Sequence, residues 1–209
     1  SVYPAYEPDM ARLVHRGGHV LERPIVVTVT WEGNPNATLY ETLGDHIGAT
    51  RYWKQVVGEY GVGPATSGPS NHVHLKEPVA VPTDPDADPI APFEELVVRA
   101  LSDPAASGWP APTDQTVYTL YVSGAPALAI CDLGAGGLHD EVQVNGKPVA
   151  FALVLECDGG PKMPALESAT ITASHELAEA ALDPLPTSSP GWQGLDGDHL
   201  AWELMQMGQ

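Results

Sequence analysis

The stretch "ITASHELAEAALDP", residues 171–184, decides how this chain reads. Apart from its ionisable residues it is mostly alanine, leucine and isoleucine, and it reads as a buried helix. With Ile171 set at zero on a helical wheel, His175, Glu179, Thr172, Asp183 and Glu176 fall in a sector from about 40° to about 140°. Ile171, Ser174, Leu177, Ala178, Ala181 and Leu182 take the other side, so a helix that buries that side and gathers its ionisable groups on the first is expected. Glu176 and Glu179 are three apart and Glu179 and Asp183 four apart, and each like-charge pair costs roughly 0.2–0.5 kcal/mol on an isolated helix. A divalent cation offsets that repulsion. His175 and Glu179, one turn apart, reach a single ion, while Glu176 points beside it toward the water such an ion activates. This is the geometry of the His-Glu-x-x-His zinc helix with glutamate in place of the second histidine. The exchange is chemically sound, because imidazole nitrogen and carboxylate oxygen both bind zinc at about 2.0–2.2 Å. The competing explanation is an acidic face simply solvated, in a protein that is acidic throughout.

Working outward, strand-like and helical segments alternate. "RPIVVTVTWEG", 23–33, is β-branched and ends in a Gly-Asn-Pro-Asn turn cluster. "ATLYETLGDHIGATRYWKQVVGEYG", 37–61, carries Leu39, Leu43, Ile47, Tyr52, Val56 and Tyr60 at helical spacing with glycine interruptions, which predicts two helices or a broken one, with Tyr52 and Trp53 in the core or lining a groove. Residues 61–92 are rich in Pro, Gly and Asp and read as a long loop with one short strand at "NHVHLKEPV". "PFEELVVRALSD" restarts a helix with Pro92 in its first turn. "QTVYTLYVSG" and "KPVAFALVLE" are strands, with the Gly-rich "CDLGAGGLHDE" between them, and the tail after Pro184 begins as loop and ends as a short helix. No repeat stands out, so the expectation is one α/β or α+β domain over residues 1–209.

Composition narrows the function classes. Nine Lys plus Arg against 27 Asp plus Glu give a formal charge of -18, which repels nucleic acid and anionic membrane surfaces. No run of 18 apolar residues spans a bilayer, and "SVYPAYEPDM" lacks the basic-then-apolar plan of a signal peptide, so an exported protein is expected here in its processed form. Cys131 and Cys157 are an even pair that suits one disulfide and an oxidising compartment.

"SHELAEAALDP", followed by "GW" and "AWELMQMG", resembles a secreted bacterial family with Ser-His-Glu-Leu-x-Glu-Ala-x-x-Asp-Pro segments, distantly similar to the plant exordium or phosphate-induced proteins. "RGGHVLERPIVVTVTW", "YWKQVVGEYGVG", "PAPTDQTVYTLYVSG" and "GGLHDE" fall in the order that family shows, so the resemblance spans nearly the whole chain, with the helix motif its specific part. It implies a zincin-like fold, a mixed twisted sheet with an active-site helix carrying His-Glu-x-x-Glu, and a secreted or periplasmic zinc metallopeptidase acting on protein or peptide. His175 and Glu179 are then the metal ligands and Glu176 the general base. In that family the "AW" segment leads into an acidic-x-Gly-Asp-x-Cys stretch expected to supply the third ligand. This chain stops at Gln209, so the third ligand is expected either beyond Gln209, the chain then being a fragment, or at Asp196, Asp198, His199 or Glu203. The alternative function is a non-catalytic extracellular binding protein that keeps the scaffold around a structural metal.

Other residues carry weaker signals. His139 follows glycines that let the backbone approach a site closely, and it matches a histidine after a Gly-rich turn in the resembling family. It is either a donor that polarises the substrate carbonyl or stabilises the oxyanion, or a loop histidine bonded to solvent or Asp140. His72 and His74 in "NHVH" point to one side of a strand, which permits a two-histidine metal site, but no third ligand stands near them in sequence and solvated edge histidines are the expectation. Asp84, Asp86, Asp88 and Glu95 occupy positions one, three, five and twelve of a calcium-loop pattern, yet Pro89 stands where the turn requires glycine, so an acidic surface loop is favoured over a Ca²⁺ site. The serine before His175 lacks a Gly-x-Ser-x-Gly elbow and "DLGAGG" lacks a phosphate-loop ending, which disfavours a serine hydrolase and a nucleotide site.

Overall fold

The computed structural model describes residues 13–80, 82, 87–124, 127, 130–131, 136–157 and 163–194. The elements, in chain order, are β1 (Leu13–His15), β2 (Ile25–Trp31), α1 (Ala37–His46), α2 (Arg51–Val57), β3 (His72–Leu75), α3 (Ala91–Ser102), α4 (Pro104–Ser107), β4 (Thr116–Val122), β5 (Gly137–Val144), β6 (Lys147–Leu155), α5 (Ala165–Leu182) and β7 (Trp192–Gly194). The protein is thus a mixed α/β structure. A five-stranded sheet runs in the order β3-β2-β4-β6-β5, with β5 alone antiparallel at one edge, and β1 and β7 form a separate antiparallel pair.

The parallel strands are near-continuous apolar runs because both faces of the sheet are covered. On one face Val27, Val29, Tyr118, Leu120, Phe151 and Leu153 meet Phe93, Val97 and Leu101 of α3. Each of those helix side chains is fully or almost fully buried, and each contributes about 1.5–3 kcal/mol of apolar transfer. On the other face β6 presents Ala150 and Ala152, and α5 answers with Ala169, Ala173, Leu177 and Ala180, all buried. Small residues on both sides let the helix axis come close to the sheet.

The register decides which side chains share the α5 face. Gly137, His139 and Glu141 of β5 pair with Val154, Ala152 and Ala150 of β6, so His139 stands on the face that α5 covers. The glycines before it make that possible. A Cβ on Gly137 would lie 2.6 Å from Thr172 Cγ2, 2.7 Å from the Leu153 carbonyl oxygen and 2.9 Å from Glu176 Oε1. Gly137→Val is therefore expected to push α5 off β5 and to destabilise the fold by about 1–3 kcal/mol, the usual range for overpacking. Urea midpoints compare the two proteins, and an unchanged midpoint would contradict this close approach.

Two expectations shift. "GLHDEVQV" is a strand, not a loop: Asn145 (φ 50) and Gly146 (φ 77) form the tight turn that folds β5 back on β6, the left-handed pair an Asn-Gly hairpin needs. The buried side of α5 is also rotated from the wheel. Ile171 is 58% exposed, whereas Glu176 and Asp183 are 5% and 6% exposed. The sheet accepts alanine and the edge of the polar sector rather than the bulkiest apolar side chain. Asp183 leaves the polar group altogether, accepting hydrogen bonds from Gly191 N (2.7 Å) and Gln193 Nε2 (2.8 Å) and so fastening the loop that follows α5.

The remaining elements follow their patterns. The 37–61 segment forms α1 and α2 with Trp53 in the core, 1% exposed, but Tyr52, expected in the core or a groove, is instead at the surface, 42% exposed, on the side of α2 away from Trp53's packing. Cys131 and Cys157 form a disulfide with Cα atoms 5.6 Å apart, which fits an oxidising environment. No helix among the described residues is long and apolar enough to cross a membrane. Asp84, Asp86 and the third-ligand candidates Asp196, Asp198, His199 and Glu203 lie outside the described residues, as does the expected terminal helix. Of the calcium pattern, Asp88 Oδ1 accepts Ile90 N at 2.9 Å and Glu95 sits on α3.

Candidate metal centre

Glu176 and Glu179 project from the C-terminal half of α5 toward β5, where His139 meets them. His139 Nδ1 lies 3.1 Å from Glu179 Oε2 and 3.8 Å from Glu176 Oε2. His175 Nε2 lies 3.1 Å from the other oxygen of Glu179, Oε1. One carboxylate is thus flanked by two imidazoles, one from the strand and one from its own helix. His139, Glu176 and Glu179 each offer a donor atom, all within 4.8 Å of one another, and they are the one such group among the described residues.

Burial grades across the cluster. The Glu176 side chain is 7% exposed and that of His139 18%, while Glu179 is 44% and His175 64% exposed. The cluster is closed on the sheet side and open beyond Glu179. Tyr52 of α2 borders the open side; its hydroxyl donates to the Ser174 carbonyl at 3.2 Å, and burial together with the negative charge of Glu179 raises its pKa. The cavities of about 610 Å³ and 710 Å³ lie elsewhere, one beside His15, Tyr60 and Trp192 and the other at the N-terminal ends of the strands, around Thr116 and Lys147.

The imidazoles and carboxylates of the cluster shift one another's protonation. Burial opposes charge on His139, but hydrogen bonds to Glu176 and Glu179 and the attraction of both carboxylates outweigh it and raise its pKa to about 9. Burial likewise opposes charge on Glu179, yet hydrogen bonds from His139 and His175 and their positive charge bring it down to about 2. His175 is raised, chiefly by its hydrogen bond to Glu179. The sign follows from linkage. The His139 contribution to stability is fully present below its ordinary 6.5 and disappears as pH rises through about 9; the Glu179 contribution is present above 4.5 and disappears as pH falls through about 2. In chelator, the stability gap between wild type and His139→Gln is therefore expected to be widest near pH 4.5–6.5 and to shrink toward pH 9. Urea midpoints across that range measure it, and a gap that widened above pH 7 would contradict the protonated pair.

All three residues of the motif helix, His175, Glu176 and Glu179, meet at this place, and His139 joins them from β5. No family model matches the chain, and none of the curated proteins matches it in sequence.

Proposed function

We propose that His139, Glu179 and His175 hold a zinc ion beside Glu176, and that the protein is a zincin-like, secreted metallopeptidase that hydrolyses peptide bonds. The observation that carries this is the flanking of the Glu179 carboxylate by His139 Nδ1 and His175 Nε2, each at 3.1 Å, with Glu176 behind them. The donor set fits the ion. Imidazole nitrogens and carboxylate oxygens are zinc ligands, and adjacent Glu176 and Glu179 on one helix call for a positive partner. The mixed sheet and the motif-bearing α5 packed against it support the zincin-like assignment, and the disulfide supports an oxidising compartment.

When bound, zinc polarises a substrate carbonyl and lowers the pKa of water at the site to about 7. The chain's own residues do the rest. Glu176, walled in by β5 and Gly137, takes the proton from the attacking water and returns it to the departing amine. His139 and Glu179, fixed on a strand and a helix that Gly137 lets touch, set the distance between base and ligand. His175, the most exposed of the four, would complete the ligand set from the open side of the cluster. Here His139 is a ligand rather than an oxyanion donor.

A second reading is favoured by the low exposure of Glu176 and by the 4.8 Å grouping: His139, Glu176 and Glu179 form a closed structural site in a binding protein. Metal content of the purified chain, an anomalous map at His175 and hydrolysis of unfolded protein with chelator and zinc-restored controls test both. A zinc-loaded protein that cleaves nothing favours the structural metal. A protein that takes up no zinc overturns both.

A further inference from the structure

A second constellation of histidine and carboxylate stands at the opposite edge of the sheet, on β3. Four strand spacings of about 4.8 Å separate the two edges. Its parts come from two elements that a glycine brings together. Gly44 of α1 is buried, and a Cβ there would lie 2.7 Å from Thr28 Oγ1, so the helix settles directly on β2. Glu41 and Asp45, one turn apart on the adjoining face, then overhang the edge strand. His72 and His74 pair in register with Thr28 and Thr30, on the face where α1 lies.

The distances arrange these residues into an inner and an outer set. Glu41 Oε1 lies 3.0 Å from His74 Nε2 and 3.8 Å from His72 Nδ1. The remaining ring nitrogens are held from behind: His72 Nε2 is 2.9 Å from Asp45 Oδ1, and His74 Nδ1 is 3.1 Å from Thr30 Oγ1. Metal-binding histidines characteristically donate their second N–H to a carboxylate, hydroxyl or carbonyl, which sets the tautomer and the ring orientation. Both rings show that arrangement here, with their other nitrogens turned to one carboxylate oxygen. The side chains of His72 and Glu41 are 14% and 16% exposed, while His74 is 47% exposed and leaves the site open to entry.

We propose that His72 Nδ1, His74 Nε2 and Glu41 form a second binding site for a divalent transition-metal ion, with Asp45 and Thr30 orienting the two rings. Two imidazoles and a carboxylate suit zinc, cobalt or nickel rather than calcium or magnesium, which take oxygen ligands. The His72, His74 and Glu41 donor atoms do not all lie within 4.8 Å of one another. Closure therefore draws the Glu41 and histidine side chains inward, which makes this the weaker kind of site. Its consequence is structural: the ion ties α1 to β3 and so stabilises the folded chain.

The test uses the full chain, stripped with chelator and then given zinc or cobalt alone, with bound metal counted by equilibrium dialysis. Wild type is expected to bind two ions, and the double variant His72→Ala/His74→Ala one, with at least a 100-fold loss at the weaker site. His139→Ala should keep the weaker site. The rise in Tm on adding the second equivalent should vanish in the double variant, and His72→Gln/His74→Gln serves if the alanine protein fails to fold. Wild type that binds a single ion, removed by His139→Ala, overturns this proposal and leaves the first centre standing. A single ion removed by the β3 double variant and kept by His139→Ala supports it and overturns the first centre. A double variant that binds as many ions as wild type, at equal affinity, overturns it as well.

Discussion

Glu176→Gln is expected to keep the zinc ion and to lose about 10² to 10⁴ in kcat/KM, the usual range for removing a general base. The amide keeps the shape of the side chain between β5 and α5, and the three proposed ligands are untouched. What is lost is the capacity to accept a proton. The same substitution separates the two functional readings: if Glu176 is itself a ligand in a closed site, the variant loses zinc. Metal content and hydrolysis of an unfolded protein mixture, measured on one preparation, distinguish the outcomes. Full zinc with full activity would end the general-base assignment, because the glutamine amide cannot take up the proton of the attacking water.

His139→Ala is expected to weaken zinc binding by more than the roughly 10- to 100-fold that loss of an outer-sphere partner costs. A metal affinity within that smaller range, with kcat reduced, would return His139 to the role of carbonyl or oxyanion donor. Unchanged affinity and activity would remove it from the site. The variant also leaves Glu176 and Glu179 facing each other without the proton that His139 carries when its pKa is about 9, so the metal-free protein should be less stable below that pH. His139→Gln retains a hydrogen-bond donor and separates that effect from the loss of a ligand.

Much of this was legible in the chain. The long alanine-rich helix, the strands at 116–122 and 147–155, the helix restarted by Pro92 and the cysteine pair all follow from local chemistry: helix propensity, β-branched runs, proline geometry and an even count. The motif helix announced His175, Glu176 and Glu179 through their spacing, because neighbours three and four apart share a helix face regardless of what surrounds them.

His139 could not be placed that way. The sequence reads it either as a donor at the site or as a loop histidine; the second alternative misses Asn145-Gly146, the hairpin signal that turns "GLHDEVQV" into a strand, and even with that signal the meeting of His139 with α5 depends on strand register. The same is true of Glu41 and Asp45 beside His72 and His74, which are 27 to 33 positions apart in the chain and meet only because Gly44 lets α1 rest on β2. Periodicity told which residues share a face of their own helix or strand, since that is set by backbone geometry within a few residues. Which faces met, how deeply Glu176 was buried and which way Ile171 turned were left to packing. Those depend on sheet order, register and the room that single glycines leave, and none of the three is local in sequence.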